Sequence, residues 1–128
     1  VVDDGPTLTH GGMAFGAGYS AAVEAGALVV DPLPYADEEI REVLRRYPHV
    51  KSVLPALGYG PAQLAALQRS IAAAPVDFVV SGTPIDLAAL VHVPQPILRA
   101  RYEFADAGEP TLGAIVDAKL RDLGLLAR

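Results

Sequence analysis

The chain contains no cysteine, which excludes a disulfide framework, a thiolate metal site and a cysteine nucleophile, and fits a reducing compartment. It also lacks a long apolar run, since a span of a bilayer takes about 20 such residues. No basic segment precedes a hydrophobic stretch, as it would in a signal peptide. The sequence therefore predicts a cytoplasmic protein without a membrane partner.

Basic residues are few and scattered: 10 Lys and Arg stand against 15 Asp and Glu, for a net charge of −5. This balance argues against a nucleic-acid partner. Two phosphate-binding motifs are missing from the 128 residues, the Gly-x-x-x-x-Gly-Lys-Ser/Thr loop and the Gly-x-Gly-x-x-Gly turn. The Gly-rich segment 11–18 precedes a predicted helix, so its amides could meet an anion, but it has no Lys to balance a triphosphate.

What is abundant is apolar sequence, 52% of the chain, arranged as short strand-like runs that alternate with helix-like periods. This alternation predicts an α/β fold with three layers, a mainly parallel sheet with helices on both faces. The predicted strands are Val1–Val2, Ala27–Val30, Val50–Leu54, Val76–Val80 and Ile97–Phe104. The predicted helices are Met13–Gly26, one from Asp37 to Pro48, one from Pro61 to Pro75, a short one from Asp86 to Val91, and a last one capped by Thr111 with its apolar side turned inward.

The stretch that follows the first strand is the strongest candidate site. Asp3 and Asp4 come directly after two valines, and Gly5, Thr7 and Thr9 follow in a segment without apolar period. Carboxylates after a buried strand are how nucleotide hydrolases hold Mg²⁺, often through water, and the threonines add hydroxyl ligands. The alternative is that one of the two carboxylates caps the next turn.

His10 and Gly11 continue this stretch. The imidazole suits a general base or a hydrogen-bond donor to phosphate, and Gly11 brings its amide close to an anion. A simple turn contact is the alternative for the histidine.

A second candidate site follows the fourth predicted strand, at Thr83-Pro84-Ile85-Asp86. GTP-binding proteins carry an Asn/Thr-Lys-x-Asp loop at such a point, whose carboxylate accepts two hydrogen bonds from guanine. Pro84 replaces the Lys here, and Asp86 is also an ordinary N-cap for the short helix after it. Arg99 and Arg101 share one face of the last predicted strand, where they reach either a phosphate or a neighbouring carboxylate.

Beyond these sites, the chain resembles a known prokaryotic family along its whole length. The segments that carry the resemblance are Asp4-Gly5-Pro6-Thr7-Leu8-Thr9-His10-Gly11, Gly16-Ala17-Gly18, Val30-Asp31-Pro32, Pro34-Tyr35, Tyr47-Pro48-His49, Val53-Leu54-Pro55-Ala56, Gly58-Tyr59-Gly60, Gly82-Thr83-Pro84-Ile85-Asp86-Leu87, Arg101-Tyr102-Glu103 and Gly108-Glu109-Pro110-Thr111-Leu112. They are similar to the C-terminal half of the predicted GTPases related to cyclic 2,3-diphosphoglycerate synthetase.

The resemblance implies a P-loop NTPase fold whose phosphate-binding (Walker A) loop lies upstream of this segment. Residues 1–128 would then form a single α/β domain, the C-terminal portion of a larger one and inactive alone. Asp3 and Asp4 would match the acidic pair that holds Mg²⁺, with Asp4 and His10 in catalysis. Thr7, Thr9 and Gly11 would face phosphate or acceptor, and Thr83 and Asp86 the base.

The intact protein is accordingly expected to be a GTPase or ligase that uses Mg²⁺ with GTP or ATP and acts on a small substrate, phosphorylated or not. Whether it forms a homo-oligomer stays open. The alternative is a non-catalytic module, flavodoxin-like or Rossmann-like, that binds a small phosphorylated ligand or a partner chain.

Overall fold

The fold is α/β, as predicted, and is built on four parallel strands. A computed structural model describes residues 1–126. The strands are β1 (Val2–Asp4), β2 (Leu54–Ala56), β3 (Val79–Ser81) and β4 (Ile97–Arg99), in the spatial order β2-β1-β3-β4. The helices are α1 (Gly5–Thr9), α2 (Ala17–Glu24), α3 (Glu38–Arg46), α4 (Pro61–Ala73) and α5 (Leu112–Asp122), with short 3₁₀ helices at Leu33–Tyr35 and Leu87–Ala89.

Helices cover both faces of the sheet around β1. Val2 lies fully buried in the larger apolar cluster, which takes Ile40 from α3 and Leu67 and Ile71 from α4. Asp3 points to the opposite face because side chains alternate along a strand, and there it meets the start of α2. A smaller cluster of Leu8, Val50 and Val53 lies under α1.

The order of the strands puts a topological switch point between β1 and β3. The connection from β1 crosses to β2 on one side, whereas the connection from β3 crosses to β4 on the other. In open parallel sheets, ligands bind outside the carboxyl ends of the strands at such a point. The residues that follow Asp4 and Ser81 are therefore the ones that the topology brings to a candidate site.

The second predicted strand, Ala27–Val30, is wrong, because these residues form no strand and Leu28 is 96% exposed. A run of only four apolar residues has no period that distinguishes a buried strand from a covering loop. The other predicted strands exist but are displaced or shortened: 50–54 becomes Leu54–Ala56, 76–80 becomes Val79–Ser81, and 97–104 becomes Ile97–Arg99.

The residues that cap the helices were predicted better than the sides of the helices that are buried. Asp37 and Thr111 cap α3 and α5 as predicted, each accepting a backbone N–H. The opening Gly/Thr segment, predicted as a loop, forms α1, because Asp4 caps it and Pro6 suits its first turn. The apolar side of α5, predicted to face inward, is exposed.

Two further features bear on the predictions. Within the part of the chain that the structure describes, no helix has the length and apolar character to cross a membrane. The predicted domain range of 1–128 extends two residues past the described part, and the single-domain assignment itself stays a prediction.

Candidate functional site

Asp3 is held by the backbone at the start of α2. Its carboxylate is fully buried and accepts hydrogen bonds from the amides of Gly16 at 2.8 Å, Gly18 at 2.7 Å and Tyr19 at 3.3 Å. Unpaired N–H groups at a helix N-terminus favour a negative charge. The carboxylate therefore stabilises α2 against β1, and its predicted role as a metal ligand stays a prediction.

Glycines make this contact between α2 and the strand ends close. A side-chain carbon on Gly18 would lie 2.6 Å from Asp3 Oδ1 and 2.8 Å from the amide nitrogen of Gly82. A side-chain carbon on Gly82 would collide with the same carboxylate and with the backbone of Gly18. Only glycine at both positions lets α2 reach the switch point between β1 and β3.

Asp4 lies beside Asp3 in sequence but has a different environment. It is half-buried, and its Oδ2 accepts the Thr7 amide at 3.1 Å and the Thr7 hydroxyl at 2.8 Å. Both hydrogen bonds fall on one oxygen, so that within residues 1–126 Oδ1 is left without a protein partner. The predicted alternative, that a carboxylate caps the following turn, is thus confirmed for Asp4.

Asp4 nevertheless suits the edge of a magnesium site. Mg²⁺ in nucleotide enzymes is usually bound through one or two carboxylates, with water and substrate phosphate completing its shell. Residues 1–126 contain no group of three or more His, Cys, Asp and Glu side chains that could hold a metal ion. The magnesium site at Asp4 therefore stays a prediction.

His10 is exposed at the end of α1, and its Nδ1 lies 3.0 Å from the Thr9 hydroxyl. Thr9 donates its single hydroxyl proton to the carbonyl of Gly5 at 2.9 Å. The Thr9 oxygen can then only accept from His10, which assigns the neutral imidazole proton to Nδ1 from the hydrogen-bond network. Nε2 keeps its lone pair and is suited to accept a proton.

Gly11 is turned toward its own helix end. Its amide donates to the carbonyl of Pro6 at 3.0 Å. This hydrogen bond competes with any contact of the Gly11 amide to an anion, which stays a prediction.

The second candidate site follows β3, beside the first. Thr83 is buried, and its hydroxyl accepts the Ile85 amide at 3.1 Å and lies 3.2 Å from the Tyr59 hydroxyl. Asp86 is exposed. It stands at the predicted N-cap position, before the 3₁₀ helix Leu87–Ala89, but its side chain makes no capping hydrogen bond.

Arg99, at the end of β4, donates from its guanidinium to the carbonyl of Pro84. Arg101 lies past the end of the strand, because β4 stops at Arg99. Both line a cleft of about 390 Å³ together with Thr83, Pro84, Tyr102 and Glu103. The predicted shared strand face of the two arginines is thus wrong, although the cleft brings them together.

The chain is similar to part of a larger protein. It is 46% identical over 118 residues to a protein named arginine synthetase ArcE from Thermococcus kodakarensis. The match covers 91% of this chain and 26% of that protein, so the chain spans about a quarter of the length of this curated relative. No protein-family model matches the chain. No solved structure matches it.

The sequence reasoning missed two residues that the structure adds to the site. Tyr59 follows β2 and contacts Thr83 across the sheet edge, and Gly16 supplies an amide to Asp3. The turn Gly58-Tyr59-Gly60 was a usable signal for the first, since it follows a strand. The Gly-rich segment 11–18 was a signal for the second, since its amides were expected to meet an anion, but nothing in the sequence indicated that this anion is Asp3, 13 to 16 positions away.

Proposed function

We propose that this chain is one region of a nucleotide-dependent synthetase, a ligase in which cleavage of ATP or GTP drives formation of a new bond. The observation that carries the proposal is the 46% identity, along 91% of the chain, to a protein named as a synthetase. The position of Asp4 at the end of β1 and of Thr83 just after β3 supports it, because the carboxyl edge of a parallel sheet is where α/β proteins bind ligands.

In this proposal the neighbouring carboxylates of Asp3 and Asp4 have different roles. Asp4 holds Mg²⁺ through water, using the oxygen that Thr7 does not engage. Asp3 is a positioning residue that fixes α2 and hence the loop before it. The magnesium ion would neutralise charge that builds on the transferred phosphoryl group.

His10 acts in the proposal as a general base. Its exposed Nε2 takes a proton from the acceptor substrate, while Thr9 holds the ring through Nδ1. Thr7 and Thr9 line the acceptor side, and Gly11 follows them.

The likeness to the predicted GTPases extends the proposal to the nucleotide. It implies a P-loop NTPase fold, with the triphosphate held by a Walker A loop outside this sequence. Thr83 and Asp86 face the base, and the exposed Asp86 carboxylate suits a bidentate contact with guanine. The synthetase acts in the cytoplasm on a small substrate.

A chimeric synthetase tests the proposal, with this chain replacing the matching region of the T. kodakarensis protein. We expect the chimera to form arginine with Mg²⁺ and either ATP or GTP. A chimera that is folded by circular dichroism but forms no arginine would contradict the proposal and favour the non-catalytic binding module.

Within the chimera, Asp4→Asn should lower activity by about 10- to 100-fold, the range for groups that orient a metal through its outer shell. Asp77→Asn is the matched control, because Asp77 is exposed and precedes β3 at the opposite edge of the sheet. The measurement is the rate of arginine formation as a function of Mg²⁺ concentration. An unchanged Mg²⁺ dependence in Asp4→Asn would remove this residue from the metal site.

A further inference from the structure

The part of the chain after β4 is not buried against the rest. From residue 101 to residue 126, every residue is exposed except Thr111 and Leu120, which are half-buried. Large apolar side chains are among the exposed ones, including Tyr102 at 57% and Phe104 at 73%. Exposed apolar side chains grouped in this way mark a surface that contacts another molecule or domain.

Helix α5 carries an apolar face with helical spacing. The face consists of Leu112, Ile115, Val116, Leu120 and Leu123, at positions that recur every three or four residues. Ile115 is 52% exposed and Val116 45%. Lys119 interrupts this face, and the opposite side carries Asp117 and Arg121, whose charged groups lie 3.9 Å apart. A helix with one apolar stripe and one charged side normally packs its stripe against a partner.

Local contacts start this helix without packing it. Thr111 caps the first turn, and the Leu112 amide donates to Asp106 at 2.7 Å. The helix has 11 residues, and isolated helices shorter than about 12–15 residues are marginal in water. Most of the stability of such a helix must come from the surface that its apolar face contacts.

The sheet also has an exposed edge at its last strand, β4. β4 is an edge strand that pairs with β3, and Val80 and Leu98 stand side by side on one face of this pair. Leu98 is 53% exposed. Parallel sheets are normally covered on both faces, and an uncovered edge strand is a template for further pairing.

We propose that the apolar face of α5, together with the β4 edge at Leu98, docks onto the remainder of a larger synthetase. The relative supplies the reason for this occupant, since about three quarters of that protein lies outside its match to this chain. The inference rests on the proposed function only in taking a synthetase as the partner; it does not depend on the nucleotide, the metal or the acid–base chemistry.

The test compares the free 128-residue chain with a mixture of the chain and the T. kodakarensis synthetase that lacks the matching region. Hydrogen exchange should be fast along α5 in the free chain and slow by roughly 100-fold or more in the complex, because docking suppresses local opening. Sedimentation should show the free chain as a monomer. A free chain that dimerises and protects α5 would overturn the proposal in favour of a second copy.

Ile115→Asp should weaken binding by at least about tenfold, since it places a charge within the apolar face of α5. Ala118→Asp is the matched control on the charged side of α5 and should bind as the original chain does. Equal binding by Ile115→Asp and the original chain, or no binding by the original chain, would overturn the proposal.

Should the shortened synthetase fail to fold alone, the same exchange measurement on the chimera decides. Fast exchange along α5 in a folded chimera overturns the docking proposal even when arginine is formed. Slow exchange in an inactive chimera supports docking while the proposed function fails.

Discussion

The strand ends around β1 and the helix α5 show opposite balances between local sequence and tertiary contact. At β1, the buried Asp3 carboxylate accepts hydrogen bonds from the amides of Gly16, Gly18 and Tyr19. The position of α2 therefore depends on a contact with a strand that is distant in sequence. At α5, the cap, the apolar stripe and Gly124 at positive φ after its end all lie within the helix or beside it. Local signals are thus enough to form a helix but not to place it.

The sharpest test of this comparison is to add the same methyl group in each region. Gly82→Ala should destabilise the chain by about 3 kcal/mol or more, because its side chain would collide with Asp3 and the backbone of Gly18, neither of which can move freely. Gly113→Ala in α5 should be neutral or stabilise by up to about 1 kcal/mol, since its nearest neighbour is the Thr111 hydroxyl at 3.9 Å. Urea unfolding measures both, and similar midpoints would break the comparison.

A smaller effect is expected from Asp3→Asn, which keeps the shape of the side chain but removes its charge. The amide retains one acceptor oxygen and presents an NH₂ group to N–H donors, so we expect a loss of about 2–3 kcal/mol. Asp77→Asn, at an exposed carboxylate, should stay within about 0.5 kcal/mol of the original chain. Equal stability of the two variants would show that the amides around Asp3 contribute little to the fold.

The smallest effect concerns the ion pair between α3 and α4. A hydrogen bond from Arg69 at 2.8 Å, and then one from the Glu39 amide, lower the pKa of the half-buried Asp37 carboxyl. Because its folded-state pKa is depressed, this carboxylate contributes stability above its ordinary pKa of 3.8 and loses it as the pH falls through the lowered value. The urea midpoints of Asp37→Asn and of the original chain should therefore become equal once the pH is below the lowered folded-state pKa of Asp37. A gap that persists would assign the stabilisation to the cap geometry alone.

Features that depend on local contacts were predicted from the sequence, whereas features that depend on distant contacts were not. The parallel α/β class and the caps Asp37 and Thr111 follow from spacing within a few residues. Strand positions such as Leu54–Ala56 do not, because pairing with β1 selects which residues of an apolar segment join the ladder. The exposure of Ile115 could not be predicted either. An apolar face indicates that a helix packs against another surface, but it does not indicate whether that surface belongs to the same chain.

The location of the candidate site was easier to predict from the sequence than the contacts that each of its residues makes. The position of Asp3 and Asp4 after an apolar run indicated the sheet edge. The structure extends β1 through both residues, so that Asp4 ends the strand and Asp3 is buried within it. The environment of Asp3, whose carboxylate is surrounded by amides, depends on α2 folding back over more than ten residues. Asp4 instead caps α1 through Thr7, only three residues along the chain. The missing capping bond at Asp86 depends likewise on the backbone after β3, which no spacing rule describes.

The central place of β1 in the sheet has a consequence for how the molecule folds. Val2 is aligned with Leu54 on one side and with Ser81 on the other, so both neighbours of this strand are made long after it during synthesis. Contacts between such distant residues form slowly, because a long loop must close before any pairing repays its entropy. Each pairing of β1 thus needs a segment more than 50 residues further along the chain, and the partner β2 is made before the partner β3.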